Sequence, residues 1–331
     1  MVNAVSGCFD LENTESIISS IVSKHGDDIS ITMYEDMIDG EYVFCSIQCD
    51  RTGPQGYGVS SSEKLALAKA YSEFIERKVC WDLFSVDGLR LSSNGFSAHP
   101  QRGLAEKNAK LELIERDVVF CSWFLRRSPM WFSELSNIPG IHCSTLKNFI
   151  ALNLNGLECK IGIWGVSGDA FVTVALLSGS PFGYNLGFML SSAADYTLAS
   201  SIEKTLIEAR SGANGILTRI KNNLPVCKDV SEIKSLDDHR DFWLNKDNLS
   251  RASWLFNSSE LVFDFPQVGV KCEEIQPSFV PAMPRTVMRA TSDELQDIFF
   301  GNTEYKLVNM RRISSLGGCF EDLNMEPHPL S

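Results

Sequence analysis

A chain of 331 residues, 44% hydrophobic and 22% charged, can bury a large core as one large domain or two smaller ones. Its formal net charge of −12 argues against non-specific nucleic-acid binding, which needs a basic surface to displace counterions. No apolar run approaches a membrane span, and the first eight residues lack the basic region and apolar core of a signal peptide.

Residues 11–24 carry apolar positions at helical spacing (Ile17, Ile18, Ile21, Val22), with Gly26 as a C-terminal stop. Residues 29–33 and 42–47 alternate like half-buried strands, and Gly53, Pro54, Gly56 and Gly58 read as a loop. Ser60 followed by Glu63 is a capping-box signature, so a helix should start near Ser61 with Leu67, Ala70, Phe74 and Ile75 on its apolar stripe. The run 92–95 is a turn, and Pro100 suits the first turn of a helix over 101–124. Residues 148–174 look strand-like, with a turn at Gly168-Asp169 and a continuation through Leu177. Asp195 precedes a third helix, 197–210. The polar stretch 222–259 reads as a surface insertion holding a helix near 240–244, and 262–265 and 286–289 look like short strands. Two prolines keep the tail Pro327-His328-Pro329 extended, and disorder is the default for such an end.

Ten cysteines lack metal-ligand spacing, and most of them read as small apolar core residues in a reducing compartment, which places the chain in the cytoplasm. The five histidines form no ligand pair. The pattern with most chemistry occurs twice in one register: Glu73, Glu76 and Arg77, then Glu112, Glu115 and Arg116. On helices, each set projects from one face. Alone, either set is a solvated face with weak salt bridges, Arg77 with Glu73 and Arg116 with Glu112. Together, four carboxylates converging on one cleft would repel unless cations sat between them, and Mg2+ is the hard ion suited to carboxylate oxygens.

With their flanks, these motifs resemble the YcaO domain family, which uses ATP to modify backbone amides of ribosomally made peptides. The resemblance runs from Gly53 to the C-terminus. It rests on Gly56-Tyr57-Gly58 with Ala66, Ala70, Glu73, Glu76 and Arg77; on Asn94-Gly95 with Glu112, Glu115, Arg116, Asp117 and Trp123; on Lys204 to Ala209; and on Asp238-His239 and Pro327-His328-Pro329. It implies a mixed α/β (α+β) YcaO-like fold, with β-sheets and helices packed around a nucleotide cleft. Residues 1–331 would form a single such domain: an N-terminal α/β segment 1–55, an ATP-motif core 56–215 and a C-terminal portion 216–331.

By the same resemblance ATP and Mg2+ are the cofactors. Glu73, Glu76, Glu112 and Glu115 would hold the metal, and Arg77, Arg116, Lys204 and Glu208 would serve the nucleotide. Pro327 and Pro329 would belong to a catalytic tail. The family reaction makes azolines from Cys, Ser or Thr of a precursor peptide, as in bacteriocin-like natural products, or thioamides when external sulfur attacks. Expected partners are the precursor peptide, a separate leader-binding protein and a dehydrogenase; a homodimer stays open, and nucleic acid and membrane are not expected. Two departures stand out: Pro100 and Leu104 replace an Asn and a Glu that serve the family's nucleotide site. They keep open a second reading, a YcaO-like scaffold or substrate-binding subunit. Tyr57, Lys69 and Ser331 depart from the family pattern as well.

Overall fold

The structure is a computed structural model that describes residues 14–26, 28–49, 53–84, 93–226 and 233–330. The first elements are α1 (Thr14–His25), β1 (Ile29–Glu35), β2 (Val43–Cys49), β3 (Gln55–Ser60), α2 (Glu63–Phe84), β4 (Phe96–His99) and α3 (Arg102–Phe124). Next come β5 (Met130–Trp131), α4 (Cys143–Leu152), β6 (Leu157–Ser167), β7 (Ala170–Gly179), β8 (Leu186–Asp195) and α5 (Leu198–Lys221). The last are α6 (Leu236–Leu244), β9 (Phe263–Phe265), β10 (Lys271–Ile275), β11 (Thr286–Thr291) and α7 (Met310–Ser315). The chain forms two compact units. One takes the residues up to Asp36 with Gly40–Glu106 and Glu273–Arg289; the other takes Met37–Asp39, Lys107–Cys272 and Ala290 onward.

In the first unit, β1, β2 and β3 form an antiparallel meander, and β11 pairs antiparallel with β4. Ile17 and Ile21 of α1, Leu67, Ala70 and Phe74 of α2, Cys45 and Ile47 of β2, and Phe96 and Val287 close one core. The expected loop at Gly56-Tyr57-Gly58 is instead strand β3, and its glycines have a packing reason. A Cβ on Gly56 would stand 2.2 Å from the carbonyl oxygen of Ala70, and one on Gly58 would stand 2.0 Å from that of Ala66. Only hydrogen side chains let this strand lie directly on the α2 backbone. Helix α2 starts at Glu63, close to the expected position, and Ser60 Oγ accepts from the Ser62 N–H.

In the second unit, the sheet runs β5-β6-β7-β8, with β9 parallel to β6. Both faces are covered, which explains the near-continuous apolar run of β7. Val172, Val174 and Leu176 face a core shared with Val118, Phe120, Trp123 and Phe124 of α3 and Trp243 of α6. Ala175 and Leu177 face Ile202, Leu206, Ala209 and Leu217 of α5. Between them Thr173 bonds the hydroxyls of Ser201 (2.8 Å) and Thr205 (2.7 Å), which pins α5 to the sheet.

Several expectations are corrected here. Residues 148–152 are helical, because Asn148 of α4 turns inward to the buried guanidinium of Arg210. Helix α5 runs past Arg210 to Lys221, since Ala213, Ile216, Leu217 and Ile220 extend its buried face beyond two glycines. The 236–256 stretch is no surface insertion: His239, Trp243, Leu244, Ala252 and Leu255 are buried. Strand β10 was not anticipated. The tail is seated, with the Trp123 and Trp243 indoles donating to the carbonyls of Glu326 and Pro327, and Leu330 bridging Leu190 of β8. Ser331 lies outside the described residues. No helix among the described residues is long and apolar enough to cross a membrane.

Candidate functional site

The first acidic set lies in the first unit, where the glycines of β3 matter directly. Because β3 hugs α2, the Tyr57 N–H donates to Glu73 Oε2 at 2.6 Å. The other oxygen, Oε1, pairs with Arg77 Nη2 at 2.5 Å across one helical turn. Arg77 also stands 5.9 Å from the centre of the Tyr57 ring, so it shares one surface with both. One turn along, Glu76 Oε1 accepts the Ala98 N–H of β4 at 2.6 Å. Both carboxylates are therefore aimed by backbone N–H groups, which fix an acceptor more firmly than a flexible side chain does.

The second set lies on α3 in the second unit. Glu115 is buried, and its Oε1 accepts from the Ser192 hydroxyl at 2.7 Å and from Arg116 Nη1 at 3.1 Å. Burial works to lower Arg116, but the carboxylates of Glu115, Glu112 and Glu208 outweigh it and hold the guanidinium above its ordinary range. That effect joins α3 to α5, so three carboxylates and one guanidinium share a neighbourhood. Asp117, next in the chain, turns inward instead. It is fully buried and takes Arg312 Nη2 at 2.6 Å, Arg312 Nε at 3.0 Å and the Gln296 N–H at 2.8 Å. Glu115, Arg116 and Asp117 sit about 100° apart around the helix, so site and anchor alternate along one motif.

Lys204 does not stand alone on α5. It meets Asp195 Oδ2 at 2.8 Å, while Lys107 of α3 meets Oδ1 at 2.7 Å and lies 5.2 Å from the Tyr196 ring. Burial would raise Asp195, yet the hydrogen bonds from Lys107 and Lys204 win and hold its carboxyl below the usual range. Ser192, Asp195 and Lys107 had no signal in the sequence, because their roles depend on where β8 ends against α3 and α5. Glu208 is exposed one turn beyond Lys204.

Pro327 contributes its carbonyl to Trp243, and Pro329 is buried. Between them the His328 ring lies 4.6 Å from that of Phe120, one turn beyond Arg116 on α3. The tail thus reaches the neighbourhood of the second acidic set. Pro100 stands two residues before the first residue of α3, whose first turn closes from the Leu104 and Ala105 N–H groups to Gln101 O; Pro100 and Leu104 carry no polar side chain.

Among the described residues no three His, Cys, Asp or Glu side chains stand together as a metal-ligand group. Mg2+ takes one or two carboxylates and completes its shell with water and phosphate oxygens. Glu73, Glu76, Glu112 and Glu115 are hard oxygen donors that could hold such an ion, and Glu73, Glu76 and Glu115 are already oriented by N–H or O–H groups.

The architecture is mixed α/β, with antiparallel sheets packed against helices. A model described as YcaO cyclodehydratase, ATP- and Mg2+-binding, matches residues 83–269. That is more than half of the chain, which belongs to the YcaO family, whose cofactors are ATP and Mg2+. The YcaO protein of Methanopyrus kandleri bound with AMPPCP and Mg2+ shares the fold at a TM-score of 0.58 and 12% identity, over 85% of this chain and 90% of that one. A heterocyclase in complex with substrate and cofactor aligns at 0.66 and 12% identity, over 95% of this chain and 57% of its own length. The Escherichia coli microcin synthetase McbBCD complex aligns at 0.57 and 11% identity, over 80% and 88%. These likenesses show the fold. Comparison with curated protein sequences gives no match.

Proposed function

We propose that this chain is an ATP- and Mg2+-dependent enzyme that activates backbone amides of a ribosomally made precursor peptide and cyclises Cys, Ser or Thr to azolines. The observation that carries the reading is the cluster on α3, where Glu115 pairs with Arg116 at 3.1 Å and is fixed by the Ser192 hydroxyl at 2.7 Å, with the carboxylates of Glu112 and Glu208 acting on the same guanidinium. Glu73 and Glu76 in the first unit, and Glu112 and Glu115 in the second, are the proposed magnesium ligands. Bound magnesium would neutralise phosphate charge during transfer.

Phosphoryl transfer asks a protein mainly for positioning and charge neutralisation, and these residues would supply both. Arg116, and Arg77 and Lys204 beside it in role, would meet phosphate oxygens, with Lys204 exchanging part of its bond to Asp195. A side-chain nucleophile of the peptide adds to the preceding carbonyl carbon, and the carbonyl oxygen departs as phosphate while ATP becomes ADP. The ring keeps the C–S or C–O bond and gains a C=N bond, with net loss of one water from the peptide. We place this work in the cytoplasm, with a separate leader-binding protein and a dehydrogenase as partners; the fold shared with a subunit of the McbBCD complex favours such company.

Pro100 and Leu104 favour one other reading, a scaffold subunit that has lost efficient turnover. Phosphate release with precursor peptide and partner, for wild type and Glu112→Ala, separates the two. The enzyme reading expects release in wild type, its loss in the variant, and a peptide lighter by one water. No release under any partner combination defeats it in favour of the scaffold. Release untouched by Glu112→Ala defeats the site assignment, and oxygen replaced by sulfur in the product identifies thioamide formation.

A further inference from the structure

His239 on α6 and His328 in the tail are both fully buried, and their rings stack at 3.8 Å. Their hydrogen bonds fix the protonation state of each. His239 Nδ1 faces the His328 carbonyl oxygen at 2.9 Å and must donate to it; Nε2 accepts the Gly301 N–H at 3.2 Å and must be bare. His328 Nε2 faces the Phe299 carbonyl oxygen at 2.8 Å and must donate, while its Nδ1 is buried with no hydrogen-bond partner among the described residues. Each ring therefore has one N–H and one bare nitrogen, which is the neutral form.

A proton added to either ring is opposed on every side. At His239 Nε2 it would point at the Gly301 N–H. At His328 Nδ1 it would find no acceptor. Two charged rings at stacking distance would repel each other. The charged groups around the pair act as follows. Arg116 of α3 disfavours a cation at His328, and Asp238 of α6 favours one at His239. The Asp238 carboxylate is already engaged by the Ser235 and Lys234 N–H groups and the Ser235 hydroxyl. Glu326, two residues before His328, pairs with Arg251. Burial pushes both imidazoles below their ordinary range, His328 further than His239.

We propose that His239 and His328 form a neutral latch that seats the C-terminal tail on α3 beside Arg116 and opens on acidification. The sign follows from proton counting. The seated state binds fewer protons than the released one, whose histidines titrate near the ordinary value of about 6.5. Seating is therefore complete above that pH and is lost as pH falls below it. The inference goes beyond the proposed enzymatic reading and does not depend on it.

The test is amide hydrogen exchange on the full chain from about pH 7.5 to about pH 5.5, corrected for intrinsic exchange rates. Protection of the peptide spanning residues 323–330 should fall as pH drops, steepening toward about a hundredfold per pH unit as two protons are taken up. Protection of β7 should persist through the same range. In His328→Phe, which keeps an aromatic ring in the stack, the slope should be no more than about tenfold per pH unit. His239→Phe should behave alike, and supplies the reading if the first variant does not fold. Three results would overturn the latch: tail protection unchanged across the range, tail and β7 losing protection in one step, or a phenylalanine variant keeping the wild-type slope.

Discussion

Replacing Asp117 by Asn isolates what the buried end of the second motif contributes. The carboxylate and the Arg312 guanidinium are both almost wholly inaccessible, at 0% and 3% side-chain exposure, so neither can turn to water when its partner is lost. Asparagine can still accept the Gln296 N–H through its oxygen. It then presents an N–H₂ group where Arg312 Nε and Nη2 need an acceptor. Breaking a buried pair from one side costs about 3–5 kcal/mol, a large share of the about 5–15 kcal/mol that holds a domain folded. With a urea slope of about 3 kcal/mol/M, the midpoint should fall by roughly 1–1.7 M. Tryptophan fluorescence follows this unit well, since Trp123, Trp131, Trp164, Trp243 and Trp254 lie in it and only Trp81 lies in the other. Removing both charges, as Asp117→Leu with Arg312→Met, should recover part of the loss. The Gln296 N–H and the Pro266 carbonyl oxygen, which Arg312 Nη1 also serves, would still cost about 1–3 kcal/mol each at most. A midpoint for Asp117→Asn within about 0.3 M of wild type, or a double variant weaker than the summed singles, would refute this account.

Gly56→Ala should destabilise by about 3 kcal/mol or more, because its Cβ meets backbone atoms that cannot rotate away. Gly103→Ala, with nothing within 4 Å of its Cβ, should be neutral or stabilising by about 0.5 kcal/mol, and thermal melts compare the two. Ser192→Ala leaves Glu115 without its hydroxyl donor and should weaken binding of a non-hydrolysable ATP analogue with Mg2+ about tenfold, or about 1.4 kcal/mol, in a fluorescence titration. Ser192→Thr should restore it. Asp195, held below the ordinary carboxylate range, adds stability above its unfolded value of about 3.9 that is lost as pH falls through its lower folded value. Lys204→Met raises that folded value, so the acid transition followed by circular dichroism should move to higher pH, and further with Lys107→Met added; an unmoved transition would count against the two-lysine arrangement.

The paired Glu-x-x-Glu-Arg runs were legible because helical period is a property of short sequence. So were α1, the β6–β7 turn at Gly168-Asp169, and the start of α3 after Pro100. What was not legible depends on neighbours distant in the chain. Asn148 reads as part of a strand until Arg210, 62 residues on, is seen to need its oxygen. The 236–256 stretch reads as surface because its buried residues alternate with Asp, Arg and Lys, and only the packing of Trp243 against Trp123 at 5.3 Å reveals the core behind it.

Gly56-Tyr57-Gly58 shows how a motif can be recognised for one reason and needed for another. As a pattern it reads as a loop. As structure it is a strand whose missing side chains bring a backbone N–H to a carboxylate on the helix beneath. The chemistry-bearing group there is the Tyr57 amide, which every residue except proline possesses, so the side chain at 57 can vary while the flanking glycines cannot. The second motif follows the same logic: Glu115 and Arg116 would face the proposed site, and their placement depends on Asp117 holding Arg312 on the other side of α3. Substitutions at Gly56, Gly58 or Asp117 should therefore affect stability and nucleotide affinity together, whereas those at Arg116 should lower affinity more than stability. That division is measurable by comparing melts with analogue binding across one set of variants.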